Sequence, residues 1–447
     1  MNLSRALLLS FLVTATAVQA QTPAPTLFDH PEDAPYSVSG QVNVISQYHP
    51  TFPAAYSGPF SLRPDAEAAT SLVATFSSVF SLAPWTEAAV AVEMAAGDGL
   101  STALGLAGFT NLDVVRNPTL GSEPYLARFV LRQLIPLSDE RVASSRTQLG
   151  LGHPVPARRL ELYAGKLSTA DLFDVNGVGS DSHTQFMNWT VDSNGAYDYA
   201  ADTRGYTWGL VAQYVQPAFT VRFGELLMPT VANGIQIDFD VTRAHAENLE
   251  VELRHGLLPG REGVVRLLAY LNHANMGSYQ ETLDAWRTGL EPVPDIEAHR
   301  RQGRLKYGFG LNLEQEVSGP VRAFLRAGWN DGRNESFAFT EVDDTLALGV
   351  DVRGTPWRRP GDKVGLAGVS NGLSALHREY LAAGGHGFLL GDGGLRYGRE
   401  SILEAYYTAL LWRGFSVSAD LQLIRNPGYN QDRGPAAVGS LRLHVEL

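Results

Sequence analysis

From Phe415 onward every second residue is apolar. Phe415, Val417, Ala419, Leu421 and Leu423 alternate with Ser416, Ser418, Asp420 and Gln422. The last segment repeats the pattern, with Leu441, Leu443, Val445 and Leu447 set against Ser440, Arg442, His444 and Glu446. A period of two belongs to a β-strand with one apolar and one polar face. A sheet of such strands closes in one of two ways. In water its aliphatic face turns inward. In lipid that face turns outward and the polar face lines a lumen. Periodicity leaves both closures open, and the choice between them decides what the chain does.

The same alternation runs through the chain. Strands are predicted at 36–47, 70–81, 85–94, 125–136, 159–165, 206–214, 219–227, 248–255, 264–272, 304–314, 321–329, 346–352, 364–369 and 402–411, besides the two final segments. That makes about sixteen, inside the range of porin-type barrels. Short turns at Ala83-Pro84, Gln216-Pro217 and Trp412-Arg413-Gly414 alternate with long loops at 95–124, 168–204, 274–303 and 371–400. Long loops at one rim and short turns at the other are the wiring of an outer-membrane barrel. A soluble sandwich has no reason to alternate so regularly. The expected fold is all-β: a transmembrane antiparallel β-barrel of about 16 strands, with a short helix inside the loop at 279–301. Lipid outside and polar residues inside is the favoured closure. It predicts that Val251→Arg impairs assembly while Glu252→Arg mainly changes conductance.

The first twenty residues hold one cation, Arg5, a short apolar run and the small-residue ending Val18-Gln19-Ala20. This is the layout of a cleaved signal peptide, too short to serve as an anchor. Residues 21–35 read as a flexible Pro-rich leader and 36–447 as a single barrel domain. No later stretch offers ~18 uninterrupted apolar residues, the length of a spanning helix. The chain has no cysteine, so an exported product must be held by packing or by a closed hydrogen-bonded wall rather than by disulfides. A net charge of −12 argues against nucleic acid and anionic lipid heads as partners.

Several stretches carry a family resemblance: GQVNVISQYHPTFPAAYSGPFSL, GDGLSTALGLAGFTN, PYLARFVLRQ, GKLSTADLFDVNGV, NGAYDYAADTRGYTWGL, HREYLAAGGHGFLLGDGGLRYGRESILEAYYT and NPGYNQDRGPAAVGSLRLHVEL. In this order, from about Gly40 to the end, the chain resembles the carbohydrate-selective porins of Gram-negative outer membranes, the OprB family. The resemblance implies a sixteen-stranded barrel in the outer membrane that passes small carbohydrates by diffusion, with membrane lipid as its other partner and no cofactor. A homo-oligomer is left open. Barrels of this kind usually end in an aromatic residue, and this chain departs from them with Leu447.

A sugar path needs hydrogen-bond donors and acceptors for hydroxyls and aromatic faces for the C–H side of the ring. It must also hold its cargo weakly enough to release it. Arg128 and Arg132 lie four apart on one strand face. Glu93 projects from the preceding strand, and Arg159, Glu161 and Tyr163 project together from the next. Lys166 and Asp171 follow in the GKLSTADLFDVN stretch. These eight residues are the expected pore lining. The opposing reading is that such groups solvate a wide lumen or pin folded-in loops.

Other motifs are weaker. GVSNG at 368–372 matches the G-x-S-x-G elbow of serine hydrolases and would suit an outer-membrane lipase, but that elbow needs an alternating strand–helix pattern the chain lacks. Gly97-Asp98-Gly99 fits no phosphate-binding fingerprint. The eleven histidines show no clustered spacing, so no metal and no catalytic residue is expected. Three rivals stand beside the sugar channel: a general-diffusion or plugged barrel without sugar preference, a secreted soluble β-protein that binds polysaccharide, and a barrel enzyme.

Overall fold

The computed structural model describes residues 26–31, 33–115 and 120–447. The expected signal peptide and the first residues of the leader lie outside the described residues. In chain order the strands are β1 (Tyr36–His49), β2 (Glu67–Ala83), β3 (Thr86–Gly97), β4 (Tyr125–Pro136), β5 (Arg141–Val142), β6 (Val155–Pro156), β7 (Arg159–Leu167), β8 (Thr207–Val215) and β9 (Phe219–Leu227). There follow β10 (His245–His255), β11 (Gly263–Gly277), β12 (Arg300–Glu316), β13 (Val321–Asn330), β14 (Asp344–Arg353), β15 (Lys363–Gly372), β16 (Glu400–Trp412), β17 (Phe415–Arg425) and β18 (Ala436–Glu446). The helices are α1 (Trp189–Asp192), α2 (Tyr279–Arg287) and α3 (Ala375–Ala382). α2 falls inside the loop where a helix was expected.

Sixteen strands form one closed antiparallel barrel, and β5 with β6 makes a separate two-stranded sheet. β1 pairs with β2 on one side and with β18 on the other, from Gln41 opposite Glu446 to Tyr48 opposite Gly439. The amide of Leu447 donates to the Gly40 carbonyl at 2.7 Å, so the chain's last residue takes part in the closure.

The direction of closure is read from the faces. Leu421 and Leu423 are 48% and 45% exposed, while Ser418 and Gln422 between and beside them are fully buried. In β18, Leu441 and Leu443 are exposed and Arg442 is fully buried. A water-soluble barrel would show the reverse, so the soluble rival is excluded. Exposed aromatic residues share this outer face with the aliphatics. Phe309 and Trp329 stack with ring centroids 6.2 Å apart toward the long-loop rim, and exposed Trp412 closes β16 at the other. Among the described residues no helix is long and apolar enough to cross a membrane.

Eight connections at one rim are long and irregular. At the other rim most are turns of a few residues, as the alternating lengths predict. One differs. Residues 137–158, between β4 and β7, form a hairpin-like insertion at the short-turn rim that carries β5 and β6. Its Leu149 and Leu151 are buried, and Leu151 donates its amide to Glu87 of β3.

The lumen is not a simple water column. The loop segments 98–115, 168–206 and 331–343 fold into it and build an apolar core there, with Leu106, Phe109, Phe173, Phe186, Trp189, Phe337 and Phe339 all buried. Gly105 lets one of these loops pass. Its φ is +82°, and a Cβ on it would sit 1.7 Å from the Leu62 amide nitrogen. Lumen-facing strand residues anchor the loops. Fully buried Arg326 of β13 holds the Asp174 carboxylate at 3.0 Å and donates to the Val191 carbonyl at 2.7 Å. Glu400 accepts the amides of Ala107 and Gly108, and Glu404 those of Met187 and Asn188. Arg442 donates to the carbonyls of Ser182 and Gln185. For these residues the loop-pinning role is the one observed.

Candidate functional site: a charged cavity between the barrel wall and its loops

The in-folded loops leave one wall partly free. Between them and the inner face of β3, β4 and β7–β10 lies a cavity of about 700 Å³. Seven of the eight expected pore residues line it: Glu93, Arg128, Arg132, Arg159, Glu161, Tyr163 and Asp171. Strand parity brings six of them together, and Asp171 enters from the loop after β7. Arg132 is opposite Tyr163 in the β4–β7 register, and Arg159 and Glu161 follow at steps of two on the same face.

Lys166 does not join them. Its position breaks the parity of 159, 161 and 163, and it is paired with Phe129 and Trp208, of which Phe129 is 53% exposed. Its ammonium instead lies 3.9 Å from the Asp202 carboxylate in the loop above.

The charges along the wall form a connected row. Arg132 donates to Glu87 at 2.9 Å and to Glu161 at 3.2 Å, and its guanidinium sits 5.7 Å from the centre of the Tyr163 ring. Arg159 and the Tyr163 hydroxyl both donate to Glu161. Arg128 grips Asp171 with two parallel bonds of 2.7 and 2.6 Å, so this strand arginine also ties the loop entering the barrel. Glu93 accepts from Thr75 at 3.0 Å and from the Tyr206 hydroxyl at 2.9 Å. Paired charges of both signs raise no strong field of one sign, yet they present donors and acceptors side by side.

Sequence reasoning missed part of the lining. Gln213, Arg222 and Arg254 extend the row, and Arg222 donates to Gln213 at 3.1 Å. The parity rule was sufficient to find Arg222, since Thr220 and Arg222 alternate with Val221 and Phe223. The opposite wall is loop: Trp189 and Phe339 stack at 5.6 Å, and Asp192 lies at the end of α1. No periodicity marks these residues. Burial pushes the Asp192 carboxyl up to about 7 against the pull of Arg326, and its Oδ1 has no hydrogen-bond partner among the described residues.

The hydrolase motif lies in β15. Ser370 is paired with exposed Leu346 on the outward face and accepts a hydrogen bond from Arg399 at 2.8 Å. A residue in a regular antiparallel strand is not a nucleophile elbow. Asn188, in a formal glycosylation sequon, is fully buried as the N-cap of α1.

A family model described as "Carbohydrate-selective porin, OprB family" matches residues 61–447. The chain belongs to this family. Porins of the OprB family are channels of the Gram-negative outer membrane, and the closed barrel with outward leucines accords with that address. Two solved structures of OprB from Pseudomonas putida are similar to it. The high-pH structure shares 16% identity with a TM-score of 0.69, covering 92% of this chain and 94% of that one. The low-pH structure shares 14% identity with a TM-score of 0.50 and covers 92% of each chain. At such identities the likeness shows the barrel fold. No curated protein sequence matches the chain.

Proposed function

We propose that sugars cross this OprB-family porin by passive diffusion through the cavity of about 700 Å³. Their hydroxyls would be handed along Glu93, Arg128, Arg132, Arg159, Glu161 and Tyr163. Lys166 is left out of the path. The observation that carries this reading is that seven residues on three strands and one loop line a single space. A neutral polyol exchanges hydrogen bonds with both members of an ion pair, and none of these contacts needs to break for the next to form. Trp189 and Phe339 supply apolar faces on the loop side. Binding stays weak because each charged group already has a protein partner.

Liposome swelling tests it. Proteoliposomes should admit monosaccharides faster than amino acids of similar mass. Arg132→Ala, which strips Glu87 and Glu161 of a shared partner, should reduce that preference several-fold. Equal rates for sugars and amino acids in the wild type would refute the reading.

A further inference from the structure

The outer wall of the barrel carries a polar cluster that the channel does not use. The β10–β11 register sets His245 opposite His273, and the β9–β10 register sets Glu225 opposite Glu247. Parity turns all four outward. They share their strands' outer face with exposed Phe223, Leu249 and Leu271, whereas Ala246, Asn248 and Asn272 between them are buried toward the lumen. The cluster sits at the long-loop end of these strands, where the apolar band gives way to polar side chains.

Its geometry is close to that of a metal site. The two imidazoles stack with centroids 4.6 Å apart. Glu247 reaches both of them, with Oε1 at 3.3 Å from His245 Nε2 and Oε2 at 4.0 Å from His273 Nε2. One ligand-type atom from each of the three residues lies within 4.8 Å of the others. Glu247 Oε2 and His245 Nδ1 are buried and have no hydrogen-bond partner among the described residues, so the cluster does not satisfy itself. Directly opposed carboxylates on neighbouring strands repel each other. A cation between the strands would remove that repulsion and bridge the histidines.

We propose that His245, His273 and Glu247 form a site for a divalent transition-metal ion, zinc foremost, on the outer face of the barrel. Two imidazoles and a carboxylate are ligands zinc favours. Tetrahedral bonds of ~2.0–2.2 Å put ligand atoms about 3.3–3.6 Å apart, which these side chains reach by shifts of under about 1 Å. Calcium and magnesium prefer all-oxygen shells and fit poorly. Glu225 adds negative charge beside the site.

The test uses untagged full-length protein in detergent, stripped with chelator and titrated with zinc chloride by calorimetry. One saturable zinc per chain is expected. The double variant His245→Ala/His273→Ala should lose it. His255→Ala, at the opposite end of β10, should keep it. Magnesium at the same concentration should not compete, and sugar flux through the double variant should be unchanged. If the double variant fails to assemble, Glu247→Gln reads the same site by weakening zinc at least tenfold. Absence of saturable uptake by the wild type, or undiminished uptake by the double or Glu247→Gln variants, overturns the proposal.

Discussion

At the scale of single residues, one strand face serves two tasks. Arg326 shows the first, holding a loop. It is fully buried and engages Asp174 and the Val191 carbonyl together. Replacing it by leucine would strand a buried carboxylate, a change worth about 3–5 kcal/mol. The loss should fall on the loop at 168–206, since the ladder hydrogen bonds of β13 are untouched. Hydrogen exchange should therefore rise in that loop and not in β12–β14. Glu252 shows how partners alter an expectation drawn from parity alone. It faces the lumen as expected, but it holds Arg254 at 2.6 Å and Arg266 at 2.9 Å, with Arg222 at 3.9 Å. Glu252→Arg would crowd four arginines, so Glu252→Gln is the better lumen probe. Val251→Arg on the outward face should cost assembly about 2–4 kcal/mol near the midplane. Folding into vesicles, followed by urea titration, should separate the two clearly.

At the scale of elements, the loops carry most of what is specific to this chain. α2 and α3 pack together above the long-loop rim, and His377 of α3 stacks on Tyr279 of α2 with centroids 4.4 Å apart. His377 Nδ1 lies 3.1 Å from Asp343 Oδ2, and burial works against the charge while Asp343 and Glu341 favour it, leaving the imidazole raised to about 9. A histidine held charged in the folded loop stabilises it fully below its ordinary value near 6.5. That stabilisation is lost as pH climbs through about 9. Protease cutting within 373–399 should accelerate between pH 7 and pH 10, and His377→Gln should flatten the profile. The insertion at 137–158 makes a different prediction. Ser144, Thr147, Gln148 and Leu149 line the cavity from the short-turn side. Replacing 138–157 by a tight turn should raise single-channel conductance; unchanged conductance would show that this hairpin does not restrict flow.

At the scale of the whole molecule, the wall was legible in the sequence and its filling was not. Each strand announces itself because alternate side chains meet different solvents, so β4 and β9 match their expected ends residue for residue. Six of the residues expected to line the pore lie on strand faces that the same parity marks and meet at the cavity, and Lys166 lies one step off it. The core inside the lumen had no such signature. Phe109, Trp189 and Phe339 belong to loops without period, and they meet through contacts spanning much of the chain. The pairing of His245 with His273 was hidden for the same reason, since a hairpin brings together residues that spacing keeps apart. The 137–158 insertion was concealed because its length breaks the rule that made the other turns recognisable.

The seam between β1 and β18 has a bearing on biogenesis. Until the final strand is delivered, the growing sheet has two raw edges and a greasy exterior with nowhere to hide. Such a chain travelling through the periplasm must be escorted. A truncation that removes only the last eleven residues would leave the cylinder slit along its full height, with the first strand free to recruit a neighbour's.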